Sequence, residues 1–283
     1  MNKILLTGST GFIGSQLLED LSKNNKIYIT LRKKTKTLIK NKNITKIYFT
    51  NIDNLDSKLK KINVEIVIHC ATHYVKNHEF KDIKKLSESN ILFGNIILEN
   101  IKKMKIKKFI NFTTVWENYN GDKDNFFNLY SVYKKNFSNL ISYYKKKSKK
   151  IKFYNLIISD TFGKSDKRGK IINQLKLNFK KNRLTKIISK NLFINLLNVK
   201  DIVSAIKIVI KKNIAPGEYV LKNNKTFPIL KIINTLNATS ERKIRIKWLS
   251  NKVIKEKIYK YRHLKNWRPS YSNIKDIVNL IKK

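Results

Sequence analysis

Asn2-Lys-Ile-Leu-Leu-Thr-Gly-Ser-Thr-Gly-Phe-Ile-Gly14 runs from a short apolar stretch directly into a turn that carries three glycines. Lys3 to Thr7 reads as a buried strand and Ser15 to Leu21 as an amphipathic helix. Each glycine between them has a separate task. Gly8 lets the chain reverse tightly, Gly11 leaves bare backbone against which a pyrophosphate can lie, and Gly14 lets the helix pack close to the strand. The amides at the helix N-terminus then face the anion. A three-glycine pattern alone is a weak signal, but one that follows a strand and opens a helix has the context that dinucleotide binding requires. Thr10, Phe12 and Ile13 belong to the same predicted cradle.

Composition bounds the remainder. A chain of 283 residues has room for one large or two small domains with a sizeable core. No stretch approaches the roughly 18–20 apolar residues of a membrane span, so no membrane partner is expected. The N-terminal residues lack the pattern of a signal peptide, and Cys70, the only cysteine, excludes an internal disulfide. The expectation is a cytoplasmic protein. A net charge of +43 invites a nucleic-acid reading, yet only seven of the 62 basic residues are arginine, the side chain best suited to phosphates and base edges. The lysines are spread along the chain, and runs such as Lys145-Lys-Lys-Ser-Lys-Lys150 fall where a helix should end. A compositional bias toward Lys, Asn and Ile accounts for the charge without a specific nucleic-acid partner.

Further strands are predicted at Lys26 to Leu31, Ile44 to Thr50, Val64 to Cys70, Phe109 to Thr114 and Lys152 to Ser159. Helices are predicted at about Lys84 to Met104 and Leu129 to Lys146. Strands alternating with helices imply right-handed crossovers and a doubly wound parallel sheet of the Rossmann kind. After Thr161 the pattern loosens, with helices at Lys170 to Lys181, Val199 to Lys212, Ile229 to Leu236 and Tyr271 to Ile281. The expected division is a dinucleotide-binding domain over 1–160, with a return segment near 190–212, and a smaller substrate-covering lobe over 161–283.

Tyr130-Ser-Val-Tyr-Lys134 places a phenol and an ammonium one helical turn apart, on one face. The cation favours the phenolate and brings the tyrosine within reach of proton exchange with a carbonyl or alcohol. Tyr143 and Lys147 repeat the spacing, but near the far end of the helix. Thr113 and Thr114 close the preceding strand at the carboxyl edge, where doubly wound sheets build their sites. A threonine hydroxyl there can donate to the same substrate oxygen.

Taken together, Thr7 to Gly14, Ile66-Val-Ile-His-Cys-Ala71, Asn90, Thr114, Tyr130 and Lys134 resemble the extended short-chain dehydrogenase/reductase superfamily, in its NAD-dependent epimerase/dehydratase branch. The resemblance covers residues 2–281. Asn111 to Tyr119, Asn128-Leu-Tyr130 and Asp160-Thr-Phe-Gly163 with Asp166 and Arg168 look most like CDP-abequose and CDP-paratose synthase-type enzymes, which reduce the 4-keto group of a nucleotide sugar. The resemblance implies Thr114 as hydroxyl donor, Tyr130 as proton donor and Lys134 as the residue that lowers the tyrosine pKa and holds the nicotinamide ribose. It implies cofactor contacts at Asn51, Ile52, Cys70, Ala71 and Asn90, and a possible homodimer.

At the end of the second strand, Arg32 and Lys33 stand where NAD-specific relatives place an acid, which favours NADP, with NAD the alternative. Thr113, Thr114 and Trp116 are candidate substrate contacts, and Lys164, Arg168 and Arg183 are candidates for the substrate diphosphate. Trp116-Glu117 replaces the Tyr-Gly of many relatives, which leaves Thr113 and Thr114 both open as the donor; Glu117, three residues beyond Thr114, is not expected to face the sugar. The spacing of His69, His73, His78 and Glu79 does not define a metal site, and no Gly-x-Ser-x-Gly supports hydrolase chemistry. Two rivals to a 4-ketoreductase remain: a 4-epimerase with tightly held NAD, and a non-catalytic dinucleotide-binding protein with a polyanion-binding surface.

Overall fold

The structure is a computed structural model that describes residues 1–33, 35 and 41–283. The chain forms two compact units. The first comprises Met1–Ile157, Asn213–Tyr219 and Tyr259–Arg262, and the second comprises Ile158–Lys212, Val220–Ile258 and His263–Lys283. The segments that rejoin the first unit are therefore 213–219 and 259–262; residues 190–212 lie in the second unit.

The first unit begins with strand β1 (Lys3–Thr7), helix α1 (Phe12–Leu21), β2 (Lys26–Arg32), β3 (Ile44–Phe49), α2 (Ile52–Leu59) and β4 (Ile66–His69). Next come α3 (Phe80–Ser87), a single π-helical turn (Glu88–Leu92) and α4 (Phe93–Glu99). β5 (Lys108–Thr114), a 3₁₀ segment (Val115–Gly121), α5 (Leu129–Lys147) and β6 (Lys152–Ile158) follow. The doubly wound prediction holds. β1 pairs in parallel with β2 and β4, β2 with β3, and β4 with β5. The sheet has seven strands, with the late strand Gly217–Leu221 beside β6 at one edge and β3 at the other. Its strands are nearly all apolar because helices cover both faces; Ile4, Leu5 and Leu6 are all fully buried.

Two local departures from the sequence reading have physical causes. The helix predicted at Lys84 to Met104 starts earlier, at Phe80, because Glu79 and Asp82 form a capping box. It is then interrupted by the π turn, an insertion that lets Asn90 face inward (3% exposed). Helix α2 was not foreseen. Its apolar positions are few, and it forms because Asn51 caps it, accepting a hydrogen bond from the Asn54 amide at 2.9 Å.

The second unit contains β7 (Asp160–Phe162), α6 (Ile171–Lys180), β8 (Thr185–Ile187), β9 (Leu192–Ile194), β10 (Leu196–Asn198) and α7 (Val199–Lys211). After β11 (Gly217–Leu221) come β12 (Phe227–Pro228), α8 (Ile229–Ala238), β13 (Ile246–Trp248), β14 (Ile254–Lys255) and α9 (Ile274–Lys282). Its core packs α6, α8 and α9 through Leu175, Ile232, Leu236 and Ile277, all fully buried. The four helices predicted here lie within a few residues of those observed. The short strands between them were missed, since runs of two or three residues leave no readable alternation. Buried Asp201 organises one end of the unit by accepting hydrogen bonds from the Ser270 and Tyr271 amides and from the Ser272 hydroxyl.

Candidate active site

The carboxyl ends of β1, β4 and β5 bring most of the predicted residues of the first unit together. Gly8 adopts φ +67°, and a Cβ there would stand 2.6 Å from the Ala71 amide nitrogen. The end of β1 thus lies against the chain leaving β4, and the Ala71 amide donates to Thr7 Oγ1 at 3.2 Å. A Cβ on Gly14 would stand 2.1 Å from the Gly8 carbonyl oxygen. On Gly11, which precedes the first helical residue, it would meet only that oxygen, at 3.2 Å. Gly8 and Gly14 are thus required by backbone packing, while Gly11 presents bare backbone at the N-terminus of a ten-residue helix. Thr10 is exposed, and Phe12 and Ile13 are partly exposed in the first turn. This cradle has the shape and dipole that suit a dinucleotide pyrophosphate.

Beneath the cradle, His69 is 1% exposed among the rings of Phe93, Phe109 and Phe137, with its Nδ1 3.0 Å from Thr7 Oγ1. Burial pushes its pKa down to about 3, so the ring is neutral. Gly94 makes this packing possible, because a Cβ there would lie 2.3 Å from the Phe137 ring and 3.1 Å from His69 Nε2. His69 is a packing residue, and among the described residues no group of His, Cys, Asp and Glu is arranged to hold a metal.

Other predicted cofactor residues have visible structural work. Asn90 accepts from the Thr72 hydroxyl at 2.8 Å and the His73 amide at 2.7 Å, and it donates to the His73 carbonyl at 3.0 Å. It thereby fixes the loop that follows Cys70 and Ala71. Asn51 caps α2, and Ile52, its first residue, is 41% exposed. Arg32 and Lys33 are both exposed at the end of β2, and Arg32 reaches toward Ser89 Oγ at 3.5 Å. No acid stands beside them in sequence.

Asn128 starts α5 as the N-cap of a capping box with Ser131. In the first turn of α5 Tyr130 is partly exposed, while Lys134, one turn further on, is 4% exposed. The second Tyr-x-x-x-Lys copy is different: Tyr143 is 56% exposed, and the Lys147 ammonium lies over its ring, 5.8 Å from the centroid. Burial therefore separates two motifs that spacing could not. Burial lowers the Lys134 pKa to about 8, against the opposing influence of Glu117. Cys70 itself is pushed upward by burial and remains a thiol.

The segment after β5 folds over this face. Thr114 caps the 3₁₀ segment and accepts from the Trp116 amide at 3.3 Å, which leaves its own hydroxyl proton to donate elsewhere. Thr113 Oγ1 is buried with no hydrogen-bond partner among the described residues. Tyr74, which the sequence reading did not single out, stands edge-on to Tyr130 with ring centroids 5.2 Å apart and lies 6.1 Å from Trp116. It links the Thr114–Trp116 segment to α5.

Glu117, which the sequence reading did not expect to face the sugar, is a buried acid. It is 5% exposed, and burial raises its pKa to about 8 against the lowering influence of Lys134 and Lys135. The signal was available as an acid in place of the usual small residue, but its direction was not.

The three candidate diphosphate residues all belong to the second unit. Lys164 and Arg183 are exposed. Arg168 is held: its Nε donates to Asp166 Oδ1 at 2.8 Å, and its Nη2 to Asp166 Oδ2 at 2.8 Å and to Thr161 Oγ1 at 2.8 Å. Nearby, the ammonium of Lys170 pairs with Asp160 at 2.6 Å.

Comparison with known proteins gives the family and the fold. The sequence model described as "NAD dependent epimerase/dehydratase family" matches residues 4–221. A CDP-abequose synthase from Salmonella muenchen is 28% identical over 229 residues, covering 77% of this chain and 73% of the synthase. Another, from Yersinia pseudotuberculosis, is 26% identical over 80% of this chain and 78% of that enzyme. Among solved structures, UDP-glucuronic acid 4-epimerase from Bacillus cereus, with NAD, superposes at a TM-score of 0.79 with 21% identity, covering 99% of both chains. A dTDP-glucose 4,6-dehydratase from Bacillus anthracis, also with NAD, gives 0.78 at 17% identity over 100% of this chain and 96% of that one.

Proposed function

The chain belongs to the NAD dependent epimerase/dehydratase family, and on that premise we propose that it reduces the 4-keto group of a nucleotide-linked deoxysugar, CDP-linked by its likeness to the two synthases, at the expense of NADPH. The observation that carries the choice of reduction is the carboxyl end of β2. Arg32 and Lys33 are exposed there without a carboxylate, which suits a 2′-phosphate and hence an exchangeable NADPH. The glycine cradle holds the pyrophosphate, and NADPH supplies hydride when bound. Lys134 lies against the ribose and, as a buried cation, favours the Tyr130 phenolate. Tyr130 gives its proton to the sugar oxygen while Thr114 donates a hydrogen bond to that atom. Trp116 and Thr113 line the sugar side. Lys164, Arg168 and Arg183 bind the substrate diphosphate, with Arg168 also bracing its own loop through Asp166. The enzyme works in the cytoplasm, and a homodimer is its expected assembly.

A 4-epimerase would employ the same catalytic trio but retain its NAD. A 4,6-dehydratase requires further acid/base groups next to its threonine, whereas Val115 and Trp116 follow Thr114 here and transfer no protons. The test is turnover of a panel of 4-keto nucleotide sugars with NADPH, followed by NMR of the product. Stoichiometric loss of NADPH and a 4-hydroxy product support reduction. An absorbance spectrum showing retained NAD, with interconversion of nucleotide sugars and no net reduction, points to the epimerase.

A further inference from the structure

Two links of the first unit meet at the amino edge of the sheet, before the starts of β5 and β6. Residues 100–107 lead from α4 into β5, and residues 148–151 lead from α5 into β6. The candidate active site lies at the carboxyl edge, the length of a seven-residue strand away, about 20 Å.

Ordinary local chemistry shapes each link. After α4, Lys105 takes φ +58°, the left-handed position usually given to glycine. Its amide returns to the Lys102 carbonyl at 3.1 Å, and the Ile106 amide returns to the Ile101 carbonyl at 3.3 Å. That pair of bonds is a Schellman closure, and the two isoleucines it brackets are buried. After α5, the Ser148 amide donates to the Lys145 carbonyl, and the Ile151 amide to the Ser148 carbonyl. Between the two links lies a cavity of about 520 Å³. Ile101, Ile106 and Ile151 give it an apolar lining. Lys102, Lys105, Lys146, Lys147, Lys149 and Lys150 supply the rest together with Ser148, and no acid lines it.

The six ammonium groups are exposed, and none of them stands in an ion pair among the described residues. The dipole of α5 accounts for Lys146 and Lys147, which lie in its last turn. It does not account for Lys102, Lys105, Lys149 and Lys150, which lie beyond the helix ends. Ser148 is an independent sign of a ligand: it is 8% exposed, yet its hydroxyl has no hydrogen-bond partner among the described residues. Like charges gathered round one cavity repel one another, and a multiply charged anion cancels that repulsion. Lysine binds phosphate as a point charge, and a serine hydroxyl adds a donor. The volume falls in the range of small-molecule sites.

We propose that this cavity is a binding site for a small polyphosphate anion, of the kind a nucleoside triphosphate carries. The ammonium groups and the Ser148 hydroxyl hold the phosphate oxygens, and the isoleucines offer an apolar surface to a base. The site is separate from the glycine cradle and does not rest on the reductase reading.

The test is isothermal titration calorimetry of the intact protein with ATP and, separately, with inorganic tripolyphosphate. Two quadruple variants are compared with wild type. The first combines Lys102→Gln, Lys105→Gln, Lys149→Gln and Lys150→Gln. The second combines Lys42→Gln, Lys186→Gln, Lys231→Gln and Lys257→Gln, which removes the same net charge from exposed positions elsewhere. Wild type should bind both probes. The first variant should bind them at least about tenfold more weakly, given the worth of hydrogen bonds to charged groups. The second should stay within about threefold, because distant exposed charges are screened. Tighter binding of ATP than of tripolyphosphate assigns the apolar lining to the base, and equal or weaker binding of ATP assigns the site to phosphate alone; either supports the proposal. Three results overturn it: no binding of either probe to wild type, affinity retained in the first variant, which places the anion elsewhere, or equal losses in both variants, which reduces the effect to net charge. Thermal melts check that the variants fold; if the first does not, Lys149→Gln with Lys150→Gln decides by the same criteria.

Discussion

Gly14→Ala is the perturbation whose size the structure fixes most closely. The new methyl would stand 2.1 Å from the Gly8 carbonyl oxygen, 2.7 Å from the Gly8 carbonyl carbon and 3.1 Å from Ser9 Cα. All three are backbone atoms, so no side chain can rotate aside. To reach even the 3.0 Å that real Cβ atoms rarely breach, α1 must retreat from the glycine turn by about 0.9 Å. Overpacking of this sort costs about 1–3 kcal/mol. Against it stands the gain in helix propensity from glycine to alanine, about 0.5–1 kcal/mol. The clash wins, and a net loss of about 1–2 kcal/mol is expected, seen as a Tm lower by roughly 2–8 °C. The retreat also withdraws the first-turn amides from the pyrophosphate, so NADPH affinity should fall further than stability does. Gly11→Ala is the comparison, because its methyl meets only the Gly8 oxygen at 3.2 Å. It should leave the Tm nearly unchanged while still weakening NADPH. Differential scanning fluorimetry and NADPH fluorescence titration on the three proteins check this. A Gly14→Ala protein with wild-type Tm and wild-type Kd would refute the close-packed cradle.

Tyr130→Phe should reduce turnover by about 10²–10⁴-fold with NADPH affinity nearly unchanged, whereas the exposed Tyr143→Phe should be silent; steady-state kinetics on both variants decides. Arg32→Ala should cut the preference for NADPH over NADH in kcat/KM, and equal use of both cofactors by wild type would remove the 2′-phosphate role. Arg168→Ala is expected to raise KM more than it lowers kcat and, because it also frees Asp166, to lower the Tm; an unchanged KM takes it out of the site. Stability should also depend on acid through His69. The folded ring has its pKa held near 3 against 6.5 for the free side chain, so below pH 6.5 the unfolded chain takes up a proton that the folded one refuses. Stability is therefore lost as pH falls from 6.5 toward 3, by at most about 1.4 kcal/mol per unit. His69→Gln should flatten that slope in thermal melts recorded from pH 7 to 4.

The doubly wound sheet was legible because its signals are local. Glycine spacing, continuous apolar strands and a cap at Asn128 each act within a few residues of one another. What escaped the sequence depends on contacts distant in the chain. The π turn exists to bring Asn90 to Thr72 and His73, eighteen and seventeen residues away. The two identical Tyr-x-x-x-Lys spacings, which the sequence separates only by their place along the helix, differ in the structure also by the burial of Lys134 and the exposure of Tyr143. The burial of Glu117 was not legible either, since nothing in its neighbours' identity foretold that the 3₁₀ segment buries it. Tyr74 was likewise one tyrosine among many until its ring was placed against Tyr130.

The most direct test of the account is the hydride balance. Purified protein, NADPH and a CDP-linked 4-keto-deoxysugar should lose one NADPH, followed by its absorbance, for each 4-hydroxy product molecule counted by NMR. Conversion of a nucleotide hexose into its C4 epimer with no net change in NADPH would contradict the reductase assignment.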